Sequence, residues 1–147
     1  VLVRLANCCT PMPGDGIIGF VTRGRGVSVH RSDCANAVSL MAEQATRMIE
    51  VEWDGGEQRG ATFVAGVEVV ALDRSRLLRD VTNALADHQV NILSCQTVTG
   101  SDRVAKMRFE FEFANPGYLD AVIRTIKGVD SVYDAYRLIP GAATPVA

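Results

Sequence analysis

The distribution of apolar and polar positions divides the chain into two patterned stretches separated by a polar, glycine-rich segment. Residues 54–60 read Asp-Gly-Gly-Glu-Gln-Arg-Gly, a composition typical of a linker. We therefore predict a first domain over residues 1–57, a linker over residues 58–61 and a second domain over residues 62–140. A flexible tail is expected over residues 141–147, because its Gly, Ala and Pro content favours fraying.

The second stretch has the clearer pattern. Apolar residues at every second position from Arg103 to Phe113 predict a strand with one buried and one exposed face. Three further strands are predicted at Phe63–Leu72, Asn91–Thr99 and Val129–Ile139. One helix is expected after a cap at Asp73 or Ser75, and another after Asn115-Pro116. The order βαββαβ indicates a ferredoxin-like fold, with Cys95 assigned to its core.

The first stretch predicts a small mixed α/β domain, so that the whole chain falls in the α+β class. Its predicted elements are strands at Leu2–Ala6, Ile17–Thr22, Val27–His30 and Met48–Trp53, and a helix capped by Ser32 or Asp33 that runs to about Thr46. The helix would present Ala37, Val38, Leu40, Met41 and Ala45 as one apolar stripe. A core built from roughly 55 residues is marginal, and a bound metal would stabilise it.

Composition narrows the class of protein. The chain has 147 residues, of which 48% are apolar and 22% charged, and its net charge is −2. These values disfavour an intrinsically disordered chain and a protein that coats nucleic acid non-specifically. No apolar run reaches the roughly 20 residues of a membrane span, and no secretory leader opens the chain. We expect a cytoplasmic location and, since the first residue is Val, excision from a longer protein.

Three of the four cysteines lie near a histidine in the first stretch. Cys8, Cys9, His30 and Cys34 supply the thiolate and imidazole ligands that tetrahedral zinc prefers. His30 and Cys34 are four residues apart, so a helical turn could direct both to one point. Two other interpretations stay open: ordinary buried thiols, and a nucleophilic cysteine with His30 as base and Asp33 as orienting group.

Two further segments carry candidate binding chemistry. Arg23 and Arg25, with nearby Arg31, form a basic turn that could contact RNA phosphate or simply be solvated. The predicted helix start after Leu72 could bind a small carboxylate through its free N–H groups. The open edges of a four-stranded sheet also favour pairing with a second copy.

Two motifs resemble those of long RelA/SpoT-type (p)ppGpp synthetase/hydrolases. The segment Asn7–Asp15, followed by Gly19–Cys34, is similar to their conserved-cysteine domain, also called the RIS or zinc-finger domain. The segments Leu72–Thr82 and Val90–Ile92 resemble their terminal ACT domain. The similarity covers nearly the whole chain, and the members that it resembles are actinobacterial-type Rel proteins.

The resemblance implies a regulatory, non-catalytic region of a stringent-response enzyme whose synthetase and hydrolase domains lie upstream. It implies contacts with ribosomal RNA and the tRNA region through Arg23, Arg25 and Arg31, zinc at the Cys/His cluster, and an ACT homodimer. It also implies that a branched-chain amino acid such as valine binds the ACT domain. The expected lining residues, with a second subunit contributing, are Leu72, Asp73, Arg74, Ser75, Arg76, Leu77, Leu78, Asn91 and Ile92.

One residue departs from the family pattern. Effector-binding ACT domains usually have Gly where this chain has Arg76, because Gly lets the loop approach its ligand closely. Amino-acid binding at this loop is therefore an open question. The competing functions are a ribosome-binding regulatory module, an amino-acid-sensing ACT dimer without RNA binding, and a thiol enzyme.

Overall fold

The computed structural model describes residues 2–24, 26–53 and 62–139. The predicted linker (58–61), the predicted tail (141–147) and Arg25 lie outside the described residues. The chain divides into two compact units, one formed by the described residues before position 54 and one by residues 62–138. Both units combine helices with a sheet, which confirms the α+β class.

The first unit is a four-stranded sheet with one helix. Its elements are β1 (Leu2–Leu5), β2 (Ile17–Val21), β3 (Gly26–Arg31), α1 (Ala35–Glu43), a short 3₁₀ turn (Ala45–Arg47) and β4 (Met48–Ile49). The strand order is β1-β3-β2-β4. Strand β1 runs parallel to β3, whereas β2 is antiparallel to both of its neighbours. Phe20 of β2 packs in the small core with Cys9, Cys34 and Ala37.

Several predictions for the first unit are wrong in detail. The N-cap of α1 is Cys34, without a side-chain cap bond, rather than Ser32 or Asp33. The helix ends at Glu43, and of the predicted stripe only Ala37 is fully buried. The predicted closing strand shortens to two residues, because β4 pairs with β2 only at Gly19 and Phe20.

The second unit has the predicted order βαββαβ. Its elements are β5 (Phe63–Leu72), α2 (Leu77–Ala86), β6 (Asn91–Thr99), β7 (Val104–Phe113), α3 (Gly117–Lys127) and β8 (Val132–Leu138). The strand order is β6-β7-β5-β8, and every neighbouring pair is antiparallel. The sequence pattern therefore predicted the elements and the fold of this unit correctly.

The core of the second unit lies between one face of the sheet and the two helices. Met107, Phe109, Phe111 and Phe113 are buried, as their alternation predicts. The two helices add buried residues at Leu77, Val81, Ala84, Leu85, Leu119, Val122 and Ile126.

In the described part of the chain, no helix has the length and apolar character needed to cross a bilayer.

Three predictions fail at the margins of this core. Cys95 is exposed, because β6 is an edge strand whose nine residues are all exposed. The α2 cap is Arg76, rather than Asp73 or Ser75, and no side chain makes the cap bond. The helical period also predicts Leu78 on the buried face of α2, but Leu78 is 48% exposed. An apolar side chain stays exposed where no second layer covers its position.

Candidate functional sites

The strand arrangement of the first unit brings the three thiols and the imidazole together. Cys8 and Cys9 follow the end of β1, and His30 lies near the end of β3. Because β1 and β3 are parallel neighbours, their carboxyl ends lie at the same edge of the sheet. Cys34 follows β3 directly and precedes the first residue of α1, so it returns to this edge. Its position at the cap corrects our expectation that it lies one turn into the helix.

The four side chains form one compact cluster. Cys8 Sγ lies 3.6 Å from Cys34 Sγ, 4.0 Å from Cys9 Sγ and 3.3 Å from His30 Nδ1. Cys9 Sγ lies 3.8 Å from the same nitrogen. All four ligand atoms are within 4.8 Å of one another. His30, Cys9 and Cys34 are buried, and Cys8 is half-buried.

These separations match the edges of a zinc tetrahedron. With Zn–S near 2.3 Å and Zn–N near 2.0 Å, a tetrahedral site has S···S edges of about 3.8 Å and S···N edges of about 3.5 Å. The observed S···S distances of 3.6 and 4.0 Å and S···N distances of 3.3 and 3.8 Å lie on both sides of those values. The donor set and its spacing therefore fit a Cys₃His zinc site.

Neighbouring groups orient two of the ligands. Ser28 Oγ lies 3.3 Å from His30 Nε2, which leaves Nδ1 directed at the thiols. The backbone N–H of Arg31 donates to Cys9 Sγ at 3.3 Å. Such outer contacts fix the tautomer of a ligating imidazole and stabilise a thiolate. Ser28 was not predicted as part of the site, although its spacing of two residues from His30 within a strand places both side chains on one face.

Burial controls the ionisation of the cluster. It lowers the pKa of His30, so the imidazole is neutral at pH 7, as metal ligation requires. Burial is also the main reason that the pKa of Cys9 rises to about 12. A buried thiol that holds its proton this strongly is a poor nucleophile without a metal ion. A bound cation would favour its thiolate form.

The arrangement disagrees with the thiol-enzyme interpretation. That mechanism needs Asp33 behind His30, but the second ring nitrogen of His30 faces Ser28. Both carboxylate oxygens of Asp33 accept hydrogen bonds from Arg31, at 2.9 Å each. The carboxylate is thus engaged with a guanidinium rather than with the imidazole.

Arg31 is not available as the RNA contact that we predicted. Its side chain is 10% exposed and forms ion pairs with Asp15 at 3.1 Å and with Asp33 at 2.9 Å. Both carboxylates contribute to the raised pKa of Arg31, with the Asp33 hydrogen bond as the largest cause. Arg23 is exposed in the turn before β3, so the phosphate-binding hypothesis keeps Arg23 and retains Arg25 on sequence grounds alone.

In the second unit, the predicted amino-acid loop is held in place by Arg74. Its guanidinium donates to the carbonyl of Asp130 at 2.9 Å, to Ser131 Oγ at 3.1 Å and to Asp80 Oδ2 at 2.9 Å. A further bond joins it to the carbonyl of Ser75 at 2.9 Å. Arg74 thus ties the β5–α2 loop to the start of β8, and its charge is already engaged within the unit.

Arg76 occupies the conformation for which glycine is favoured. It has φ 66° and ψ 13° and immediately precedes α2. This left-handed region is unfavourable for residues that carry a Cβ. The position at which the family pattern has Gly therefore keeps the backbone geometry of a glycine although the residue is arginine.

The two parts of the predicted amino-acid site lie at opposite ends of one sheet. Leu72 pairs with Val104 on β7, whereas Asn91 pairs with Glu112. Eight residues of β7 separate these points, which is roughly 26 Å at about 3.3 Å per residue. A single chain therefore does not bring the Leu72–Leu78 loop and the pair Asn91 and Ile92 together.

Comparisons with known proteins agree with this architecture. A family model described as the RelA/SpoT RIS domain matches residues 1–54, and an ACT-domain model matches residues 59–137. A "GTP pyrophosphokinase" of Streptomyces antibioticus is 54% identical over 96% of the chain and 16% of its own length. The "Bifunctional (p)ppGpp synthase/hydrolase RelA" of Mycobacterium tuberculosis is 54% identical over 97% of the chain and 19% of its own length.

The similarity extends to a more distant relative. A "GTP pyrophosphokinase" of Escherichia coli is 40% identical over 92% of the chain and 18% of its own length. The chain thus spans less than a fifth of the length of each of these relatives. The matched residues coincide with the two units of the fold. The chain belongs to the RelA/SpoT family, in which it corresponds to a RIS domain followed by an ACT domain.

Proposed function

We propose that this chain is a non-catalytic regulatory region of a stringent-response enzyme that makes and hydrolyses (p)ppGpp, and that it controls catalytic domains lying upstream. The observation that carries the proposal is the match of a RIS domain and an ACT domain, in this order, to relatives of much greater length. The Cys/His cluster supports it, because buried thiols arranged around an imidazole suit a structural metal site better than a reactive one.

The direct test measures (p)ppGpp synthesis and hydrolysis by two proteins. The isolated chain, incubated with ATP and GTP or with (p)ppGpp, should be inactive in both directions. The full-length enzyme should lose its stimulation by ribosomes carrying deacylated tRNA when this region is deleted, while its basal synthesis persists. Turnover by the isolated chain, or unaltered stimulation after the deletion, would contradict the proposal.

We infer that Cys8, Cys9, His30 and Cys34 hold one Zn²⁺ that stabilises the first unit. The support is the agreement of four of the six ligand–ligand distances with a tetrahedron, together with the contacts from Ser28 and Arg31. Bound zinc would cross-link the β1 end, β3 and the α1 start, which a core of this size needs.

Elemental analysis of the purified chain tests the zinc assignment. We expect one zinc per chain, and its loss in Cys34→Ser. Cys95→Ser provides a matched control, because this cysteine is exposed in the other unit, and it should retain full occupancy. Zinc that binds equally in both variants, or that is absent from freshly purified protein, would refute the assignment.

We further propose that Arg23, together with Arg25 on sequence grounds, contacts ribosomal RNA. The support is the exposure of Arg23 in the turn before β3 and the polyanionic character of RNA. Reversing both charges to Glu should weaken ribosome binding and reduce its salt dependence. Arg4→Glu changes an exposed arginine elsewhere in the same unit and should have a smaller effect. Arg23→Glu alone changes the net charge by the same amount as Arg4→Glu, so equal losses in these two single variants would show that only net charge matters.

A second candidate function, an amino-acid-sensing ACT dimer that does not bind RNA, is favoured by the edge strand β6. All nine of its residues are exposed and none is charged, whereas natural edge strands usually carry charges or prolines that block pairing. Antiparallel pairing of β6 with β6 of a second copy would extend the sheet to eight strands. It would also place the Asn91 end of that copy at the end of the sheet where the first copy has Leu72.

The dimer would therefore bring the two parts of the predicted valine site, which one chain holds apart, to the same end of the sheet. Because Cys95 is the central residue of β6, a mild oxidant should give a disulfide-linked dimer that Cys95→Ser abolishes. Calorimetry with valine should show binding only at concentrations at which the chain is dimeric. A monomeric mass at high concentration, with no heat from valine, would exclude this candidate and leave the first proposal standing.

A further inference from the structure

One row of polar side chains crosses all four strands of the second sheet on the face opposite α2 and α3. Gln96 of β6 pairs with Arg108 of β7, Arg108 with Glu68 of β5, and Glu68 with Tyr136 of β8. Apolar Phe109 lies next to this row but points to the other face, where it is buried. We call these four residues the polar row.

Glu68 is the fixed centre of the polar row. Its side chain is 8% exposed, although it lies on the open face of the sheet. One carboxylate oxygen accepts a hydrogen bond from Arg108 Nε at 3.1 Å, and the other accepts one from the Tyr136 hydroxyl. The bond from Tyr136, followed by the contacts with Arg108, lowers the pKa of Glu68. The carboxylate is therefore ionised at neutral pH and firmly held.

Arg108 is anchored at one side of its guanidinium and free at the other. Among the described residues, the group is bonded only through Nε, and the side chain is 63% exposed. The two terminal nitrogens therefore form an oriented fork without a protein acceptor. Such a planar fork recognises carboxylate or phosphate oxygens in pairs.

A cavity of about 200 Å³ opens at this fork and is lined by Glu68, Gln96, Val98, Lys106 and Arg108. Lys106 and Arg108 outnumber Glu68, so the lining carries a net positive charge. Gln96 and Lys106 add hydrogen-bond donors, and Val98, which is 59% exposed, supplies an apolar wall. The volume exceeds by several times the roughly 30 Å³ share of one water molecule.

We propose that this cavity binds an anionic group, a phosphate or a carboxylate, through the fork of Arg108, the ammonium of Lys106 and the amide of Gln96. Glu68 is a positioning residue, because it holds Arg108 by Nε and leaves the terminal nitrogens directed outward. The site lies on the sheet face, away from the loop before α2, and it stands independently of the regulatory function proposed above.

The test is an NMR titration of the full chain with inorganic phosphate and, separately, with acetate at constant ionic strength. We expect saturable shifts confined to residues 96, 98, 106 and 108, and the response to each anion identifies the class of ligand. Arg108→Gln should weaken binding by about tenfold, as expected for the loss of charge-assisted hydrogen bonds. Arg124→Gln removes an exposed arginine from α3 and should change nothing.

Variants of Glu68 separate a positioned fork from a simple positive patch. If only charge mattered, Glu68→Gln would tighten phosphate binding by removing a nearby negative charge, whereas a positioned fork predicts weaker binding. Glu68→Asp keeps the charge but cannot span the distance to Arg108, and it should also weaken binding. Tighter binding in Glu68→Gln, an unchanged affinity in Glu68→Asp, or non-saturable shifts in the original chain would overturn the proposal.

Discussion

Replacing Arg76 with glycine should stabilise the second unit, since the strain at this position belongs to the backbone. Arg76 has φ 66° before the first turn of α2, and its exposed guanidinium has no hydrogen bond or ion pair among the described residues. Its carbonyl accepts from the N–H of Asp80 at 3.0 Å, a bond that glycine preserves. The substitution therefore removes the Cβ without removing a contact.

The expected gain is the difference between two opposing terms. A residue with a Cβ in the left-handed region costs about 1–2 kcal/mol, and glycine loses about 0.5–1 kcal/mol more conformational entropy on folding. The two ranges give a net increase of about 0–1.5 kcal/mol in the free energy of unfolding, with a central value of about 0.75 kcal/mol. For a unit of this size, the central value corresponds to a rise of roughly 3–6 °C in melting temperature.

Amide hydrogen exchange can measure the change in stability separately for each of the two structural units. The slowest amides of β5 and β7 should exchange more slowly in Arg76→Gly, while those of β3 in the first unit should not change. Arg76→Ala removes the charge but keeps the Cβ, so it should not stabilise. Arg124→Gly, in the last turn of α3, should destabilise by up to about 1 kcal/mol. If Arg76→Ala stabilises as much as Arg76→Gly, charge rather than backbone strain is responsible and the reasoning fails.

Three other expectations concern burial and charge. Phe109→Ala should lower the free energy of unfolding of the second unit by about 3–5 kcal/mol, measured by denaturant titration, because the ring is 1% exposed. Arg31→Gln should cost the first unit about 1.5–3 kcal/mol by removing the charge-assisted hydrogen bonds of a largely buried guanidinium with Asp15 and Asp33, whereas Arg23→Gln should stay within about 0.5 kcal/mol. The stability that Glu68 contributes, through bonds from Tyr136 and Arg108 that lower its pKa, is present above the carboxyl's unfolded pKa. This stability should be lost as the pH falls through the pKa of Glu68 in the folded state. In Glu68→Gln, the free energy of unfolding should therefore decrease less in acid.

Regular alternation made the second unit predictable. The strand ending at Phe113 repeats apolar and polar residues with a period of two, and its buried face is the one that the pattern indicates. The bounds of Phe63–Leu72 and Asn91–Thr99 also agree with the structure. Cys95 was assigned wrongly because alternation identifies which face a residue belongs to, but not whether another layer covers that face.

The first unit was less predictable where the ends of its elements depend on segments distant in the sequence. The cap of α1 and the length of β4 depend on which neighbours are present, and Cys34 takes the cap position that Ser32 or Asp33 was expected to take. Arg31 shows the same limit. Its charge suggested an RNA contact, but it forms ion pairs with Asp33, two residues away, and with Asp15, which the fold brings near.

Periodicity and side-chain chemistry were enough to predict the fold class, the order βαββαβ and the identity of the four metal-ligand candidates. The folded arrangement was needed to show that these candidates converge within 4.8 Å and that the two parts of the predicted amino-acid site are separated by a sheet length. It also showed that Glu68 orients Arg108 across two strands. Such distances depend on strand pairing between segments far apart in the chain, which a local pattern does not specify.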